Sequence, residues 1–233
     1  MATSSEASAA IRASLAVGLA VSAYGISFGA LSVASGLDIW QTCVLSLFMF
    51  SGGSQFALIG VIAGAGAVPP VAVGTAAITS AALLGVRNSL YSMRMGSIIG
   101  GPWWRKALAA HWTIDETTAV STAQPTLHGQ RVGFWVTGAV IYLGWNLTTL
   151  LGALLGDLVG DVRQYGLDAA AAAAFLGLVW PRLRARQPIA VAVGAAVVAA
   201  VLIPWAPSGV PVLAAAVVAV VVGLTNWLGR SKA

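Results

Sequence analysis

Leu45-Ser46-Leu47-Phe48-Met49-Phe50-Ser51-Gly52-Gly53-Ser54-Gln55-Phe56-Ala57-Leu58-Ile59-Gly60-Val61-Ile62 is a single apolar run with a polar and glycine-rich interruption at its middle. The run is long enough to enter a bilayer. Lipid offers no hydrogen-bond partner to an amide or to freed backbone, so such a break survives only where it is packed in protein or lines a wet cavity. Short half-helices flanking a break are a common way for a transporter to build a substrate site. The stretch therefore predicts a membrane-embedded helical protein, with a place inside it where a polar solute can bind.

Composition points the same way. The chain has 233 residues, of which 58% are hydrophobic and 8% charged, against about 25% charged residues in a soluble domain. Mean hydropathy is +0.88. The net charge of +5 would suggest nucleic acid in a soluble protein, but here the basic residues lie between apolar segments, where membrane orientation accounts for them. No nucleic-acid partner is expected. The single cysteine, Cys43, excludes an internal disulfide and a cysteine-based metal cluster, and is read as a small hydrophobe. No cofactor or metal is expected.

The apolar segments are 14–36, 39–66, 68–86, 133–156, 167–180, 188–204 and 209–228. The expected fold is all-α, a polytopic bundle of about seven membrane segments with the second broken. Residues 14–228 form one transmembrane domain between tails 1–13 and 229–233. Arg12 followed by an apolar run resembles a signal peptide, but the run extends to Leu37, so a retained helix is favoured over cleavage. Glycine pairs at four-residue spacing, Gly25/Gly29, Gly60/Gly64 and Gly152/Gly156, permit close helix contact. With 27 glycines present, that spacing also arises by chance.

Ten of the twelve Lys and Arg residues lie in 87–132, 181–187 and the C-terminal tail. These segments fall on one side, and the positive-inside rule makes it the cytoplasm. The N-terminus is then outside if 39–66 crosses the membrane, and inside if 39–66 is a re-entrant pair of half-helices. Charge counting does not choose between the two.

Three polar constellations stand out. Ser51, Gly52, Gly53, Ser54 and Gln55 offer hydroxyls, an amide and loosened backbone to the carboxylate or ammonium of a zwitterion. The alternative is a tight helix crossing with Gln55 bonded to a neighbour. Arg87-Asn88-Ser89-Leu90-Tyr91-Ser92-Met93-Arg94 closes the third segment. Arg87 has the fork geometry for a carboxylate, and the alternative is an anchoring arginine at the interface. His111-Trp112-Thr113-Ile114-Asp115-Glu116-Thr117 puts two of the chain's seven acids side by side. His111 and Asp115 are four apart and meet if one helix carries both. Asp115 and Glu116 are candidates for proton coupling or gating, or for an ion pair with Arg87 or Arg94. The alternative is a charge pair opening a solvated helix. His128 reads as surface. Nothing resembles a P-loop, a dinucleotide-binding glycine pattern, a zinc spacing or a nucleophile elbow, so no enzyme activity is expected. Uphill transport then needs an ion gradient or a partner. A channel with a polar constriction is the competing class.

In their order, these elements resemble the AzlC family, the larger subunit of two-component branched-chain amino-acid exporters. FMFSGGSQFA (48–57) is similar to its aromatic, small-residue, Gln-Phe-Ala pattern. RNSLYSMRM (87–95) resembles its Arg-x-x-Leu-Tyr signature, and TIDETTAV (113–120) its Thr-Asp-Glu element. YGLDAAAAAAFLGLVWPRLRAR (165–186) resembles its Gly-Leu-Asp, Ala-rich, Pro and basic block. Two departures stand out: Asn88 occupies a place where the family often has His, and Ile114 separates Thr113 from Asp115. The resemblance implies export of leucine, isoleucine, valine or methionine from a bacterial cytoplasmic membrane, driven by the proton motive force, with a small AzlD-like membrane subunit as partner. Substrate contacts are expected at Ser51, Gly52, Gly53, Ser54, Gln55, Arg87 and Asn88, although the role of the family's imidazole does not transfer to Asn88.

Overall fold

The computed structural model describes residues 2–64, 70–159, 176, 180, 183–206 and 210–225. Among these the chain is all-helical: α1 (Ala2–Ala34), α2 (Ile39–Phe48), α3 (Gly52–Ala63), α4 (Pro70–Ile99), α5 (Trp103–Trp112), α6 (Asp115–Thr122), α7 (Leu127–Val159), α8 (Arg186–Leu202) and α9 (Val210–Thr225). Three are long and apolar enough to cross a membrane, within α1, α4 and α7. The predicted fifth segment, 167–180, lies almost wholly outside the described residues.

The spine of the bundle is the pair α1 and α7, which lie side by side in parallel. Ser14 Oγ accepts a hydrogen bond from Thr137 Oγ1 at 2.9 Å, and farther along both helices Thr148 Oγ1 donates to the Ser22 carbonyl at 2.6 Å. Small residues let the backbones approach. A Cβ on Gly29 or Gly152 would strike the backbone of the facing helix at Thr149 or Ile26, and one on Gly156 would sit 3.0 Å from Ala30 Cα. Of the three glycine pairs in the sequence, Gly25/Gly29 and Gly152/Gly156 thus face each other across this seam. Gly60 faces open space, so its spacing carries no contact.

α1 ends in a Schellman turn. Leu37 N–H reaches the Ser32 carbonyl, Gly36 N–H reaches that of Val33, and Gly36 takes φ +96°, which only glycine adopts without strain. Asp38 then caps α2: its carboxylate accepts from Gln41 N–H at 2.7 Å, while the Gln41 side chain accepts from Asp38 N–H at 3.0 Å. α2 runs back along α7, with Ser46 near Thr149 and Leu47 near Tyr142. The helix breaks at Met49–Ser51. α3 departs along α4, its first turn against Arg87 and Gly85, and ends seven residues before α4 begins. So 39–63 is a re-entrant hairpin that enters and leaves at one end of the bundle, the second of the two topologies the charge count left open. The break lies slightly earlier than the sequence suggested, with Gly52 to Gln55 forming the first turn of α3.

A second hairpin comes from the opposite end. The hydrophilic stretch 87–132, read from its sequence as a cytoplasmic segment, is helical over most of its length. α4 continues thirteen residues past the expected end at 86, to Ile99, where Arg131 Nε caps the Ile98 carbonyl at 2.7 Å. α5 then dives beside α7: Arg105 lies over Trp135, and Trp112 against Trp135 and Tyr142. The helix stops at Thr113, and Thr117 Oγ1 takes up the Ile114 N–H at 3.0 Å. α6 returns to the starting end, where Ser121 Oγ donates to the Gln130 carbonyl. Four of its hydroxyl residues, Thr113, Thr117, Thr118 and Ser121, are buried in the protein interior. α1 with α2–α3, and α4 with α5–α6, are therefore two similar units inserted from opposite ends. The starts of α1, α5 and α7 share one end, with Arg94, Arg105, Lys106 and Arg131, and Arg12 joins them. α8 and α9 pair with each other through Gln187 and the Val222 carbonyl.

Candidate functional site

The two hairpin tips meet. Phe50 lies 6.0 Å from the His111 ring, centroid to centroid, and His111 Nε2 is 3.1 Å from the Leu47 carbonyl at the end of α2. His111 and Asp115 stand on opposite sides of the α5–α6 break, so they do not share a helix face as their spacing suggested. Beside the tips is a cavity of about 190 Å³. A single water needs ~10–15 Å³ measured in the same way, so the space suits a small solute.

Five elements line the cavity. Phe50, Ser51, Gly52 and Gly53 come from the first tip, and Ile114, Asp115 and Glu116 from the second. α1 contributes Val21 and Tyr24, α4 Leu84 and Arg87, and α7 Ile141 and Trp145. Arg87 Nη1 pairs with Asp115 Oδ2 at 3.0 Å, joining α4 to the second tip. Arg87 is about one-third exposed and Asp115 13%, so the pair is accessible from the cavity but not freely solvated.

The glycines do something the sequence did not reveal. A Cβ on Gly53 would sit 2.8 Å from Arg87 Nη2, and one on Gly52 would sit 3.0 Å from Trp145 Cη2. The guanidinium and the indole therefore rest directly on the first turn of α3. Ser51, the N-cap, gives that turn no side-chain cap, since its hydroxyl donates instead to Ser54 Oγ at 3.2 Å. α3 thus presents an uncapped, positive N-terminus to a cavity that also holds a guanidinium. α6 directs its own N-terminus, with Asp115 and Glu116, to the same space.

Not every expected contact is here. Ser51, Gly52, Gly53, Arg87, Asp115 and Glu116 line the cavity; Ser54, Gln55 and Asn88 do not. Gln55 is fully buried, with Nε2 donating to the carbonyls of Met49 (2.7 Å) and Ser46 (3.4 Å) and Oε1 accepting from Trp145 Nε1 (2.9 Å). Among the phenylalanines near the break only Phe50 faces the cavity. Phe56 is in the core and Phe48 is 78% exposed on the outer surface. Trp145, Ile141, Tyr24 and Val21 went unnoticed, because aromatic and aliphatic residues within a long span carry no mark in sequence.

The family model for AzlC protein matches residues 16–159, which hold both hairpins, α4 and α7, α1 from residue 16 onward, and the whole cavity. The chain belongs to the AzlC family. That family is associated with membrane transport of amino acids rather than with enzyme chemistry. No curated protein and no solved structure matches the AzlC chain.

Proposed function

We propose that this chain is the membrane-embedded subunit of a secondary exporter of branched-chain amino acids, leucine, isoleucine and valine, with methionine as a further substrate. The observation that carries the reading is the cavity between the hairpin tips. It joins an uncapped helix N-terminus and an Arg–Asp pair to apolar walls. An α-amino acid needs those three things. Its carboxylate goes to Arg87 and the first-turn amides of α3, where the fork and the dipole both favour an anion. Its ammonium takes Asp115, which gives up Arg87 in exchange. The aliphatic side chain lies against Val21, Ile141 and Trp145. These apolar walls favour aliphatic side chains.

Exchanging an internal ion pair for two ligand pairs couples binding to the two hairpins, since Asp115 opens α6 and Arg87 rests on α3. Asp115 and Glu116 are the carboxylates placed for a proton-driven step. A small AzlD-like membrane subunit completes the transport path. The basic end of the bundle, with the N-terminus, faces the cytoplasm of a bacterial inner membrane, and by the same rule the tail with Arg230 and Lys232 is cytoplasmic.

The test is efflux of isoleucine from dipeptide-loaded cells lacking other exporters, with this chain expressed alone and with its small partner. Arg87→Ala and Asp115→Asn are expected to abolish saturable efflux at unchanged membrane levels. Normal efflux in both variants contradicts the site.

A further inference from the structure

We propose that Trp145 is the wall that decides which side chains the cavity admits, and that Gln55 is the positioning residue that holds it. The inference rests on the amino-acid site above and adds its specificity device. Trp145 lines the cavity but is only 5% exposed, because most of its indole is packed. Phe28 stacks on it at 6.2 Å and 27°. Phe56 meets it edge-on at 6.4 Å. Its six-membered ring presses on Gly52, where even a methyl group would crowd it. Its Nε1–H ends on Gln55 Oε1 at 2.9 Å.

The last contact fixes the ring in its plane, and Gln55 itself cannot turn. If the amide flipped, its oxygen would face the Met49 and Ser46 carbonyls and its NH2 would face the indole N–H, so all three bonds would be lost. Those two carbonyls belong to the end of α2 and to the break. Gln55 therefore ties the first hairpin tip to α7 through the ring that bounds the cavity. A substrate side chain meets a surface that does not yield, which is the condition for discriminating size.

The experiment measures competition among valine, leucine, isoleucine and phenylalanine for efflux from cells expressing the full chain with the small AzlD-like subunit. Rates are compared at equal amounts of folded protein. Trp145→Phe makes the wall shallower and raises the rate for phenylalanine relative to valine by roughly tenfold, the low end of what one methylene is worth in an apolar pocket. Gln55→Met keeps the side-chain length without its hydrogen bonds, and shifts the same ratio in the same direction by less. In the double variant the ratio equals that of Trp145→Phe alone, because Gln55 acts through the ring. A purely structural Gln55 would lower all rates in common and leave the ratio fixed. Arg87→Lys is the control for the underlying site and slows all four amino acids alike. An unchanged ratio in Trp145→Phe, with Arg87→Lys still slowing transport, overturns the specificity wall while sparing the site. No effect of Arg87→Lys overturns the site itself.

Discussion

Gln55 bonds through both ends of its amide, and its removal leaves the Trp145 indole N–H without its partner and takes one donor from each of the Ser46 and Met49 carbonyls, the second of which keeps the Ser51 N–H at 2.7 Å. An interhelical hydrogen bond in a membrane averages only ~0.6 kcal/mol, but an orphaned buried group costs ~1–3 kcal/mol. Gln55→Ala is therefore expected to destabilise the protein by about 1–3 kcal/mol, read as a lower melting temperature in detergent. A change under about 0.5 kcal/mol would mean that water enters and replaces the amide. The glycines make a sharper pair. Gly52→Ala crowds a ring that has nowhere to go, an overpacking cost of about 1–3 kcal/mol. Gly60→Ala meets open space and gains up to about 1 kcal/mol of helix propensity. Equal melting temperatures for the two variants would remove the close approach of Trp145 to α3. At this scale sequence showed the existence of the site better than its wiring. A glutamine within an apolar run is conspicuous, whereas its partner Trp145 lies ninety residues away in a segment rich in aromatics. Arg87 and Asp115 were readable as a candidate pair because charges are scarce in this chain, 8% of residues.

Among the elements, the first hairpin was half legible. The interruption at Ser51 to Gln55 marked a break, but 39–66 has the length of a crossing, so composition could not tell a crossing from a return. The answer lies in which helices α2 and α3 pack against, α7 for one and α4 for the other. The second hairpin was hidden. Its polar residues read as a cytoplasmic segment, and only the fold shows Thr113, Thr117 and Ser121 buried and Asp115 and Glu116 at the cavity. The parallel seam of α1 and α7 was visible as two glycine pairs, though not separable from the third, idle one. That seam predicts a graded result. Gly152→Leu drives a side chain into the α1 backbone and is expected to abolish folded protein, whereas Gly60→Leu leaves expression and detergent stability near normal. Equal yields of the two variants, assayed by size-exclusion of solubilised protein, would refute the packing of α1 on α7.

For the whole molecule, inverted insertion of the two hairpins predicts which ends share a compartment. In a Cys43→Ser background, cysteines at positions 4 and 105 are expected to react alike with an impermeant thiol reagent in intact cells, and a cysteine at 37 to behave oppositely. Labelling of 4 and 37 from the same side would contradict α1 as a crossing helix, and labelling of 4 and 105 from opposite sides would contradict their sharing one end of the bundle. With the basic end cytoplasmic, 37 is the labelled one. The all-helical class and the broken second segment followed from hydropathy alone. The meeting of two opposed tips at one cavity did not, because it depends on contacts between residues up to a hundred positions apart. That meeting is the centre of the account, and substrate protection tests it most directly. Single cysteines at Ser51 and at Ile114, one on each tip, are labelled in purified protein with and without isoleucine, beside a control cysteine at Leu143, which is 70% exposed on the outer face of α7. Isoleucine is expected to slow labelling at both tips in the same concentration range and to leave position 143 unchanged. Protection at neither tip, or equal protection at all three positions, would contradict a substrate site between the hairpins.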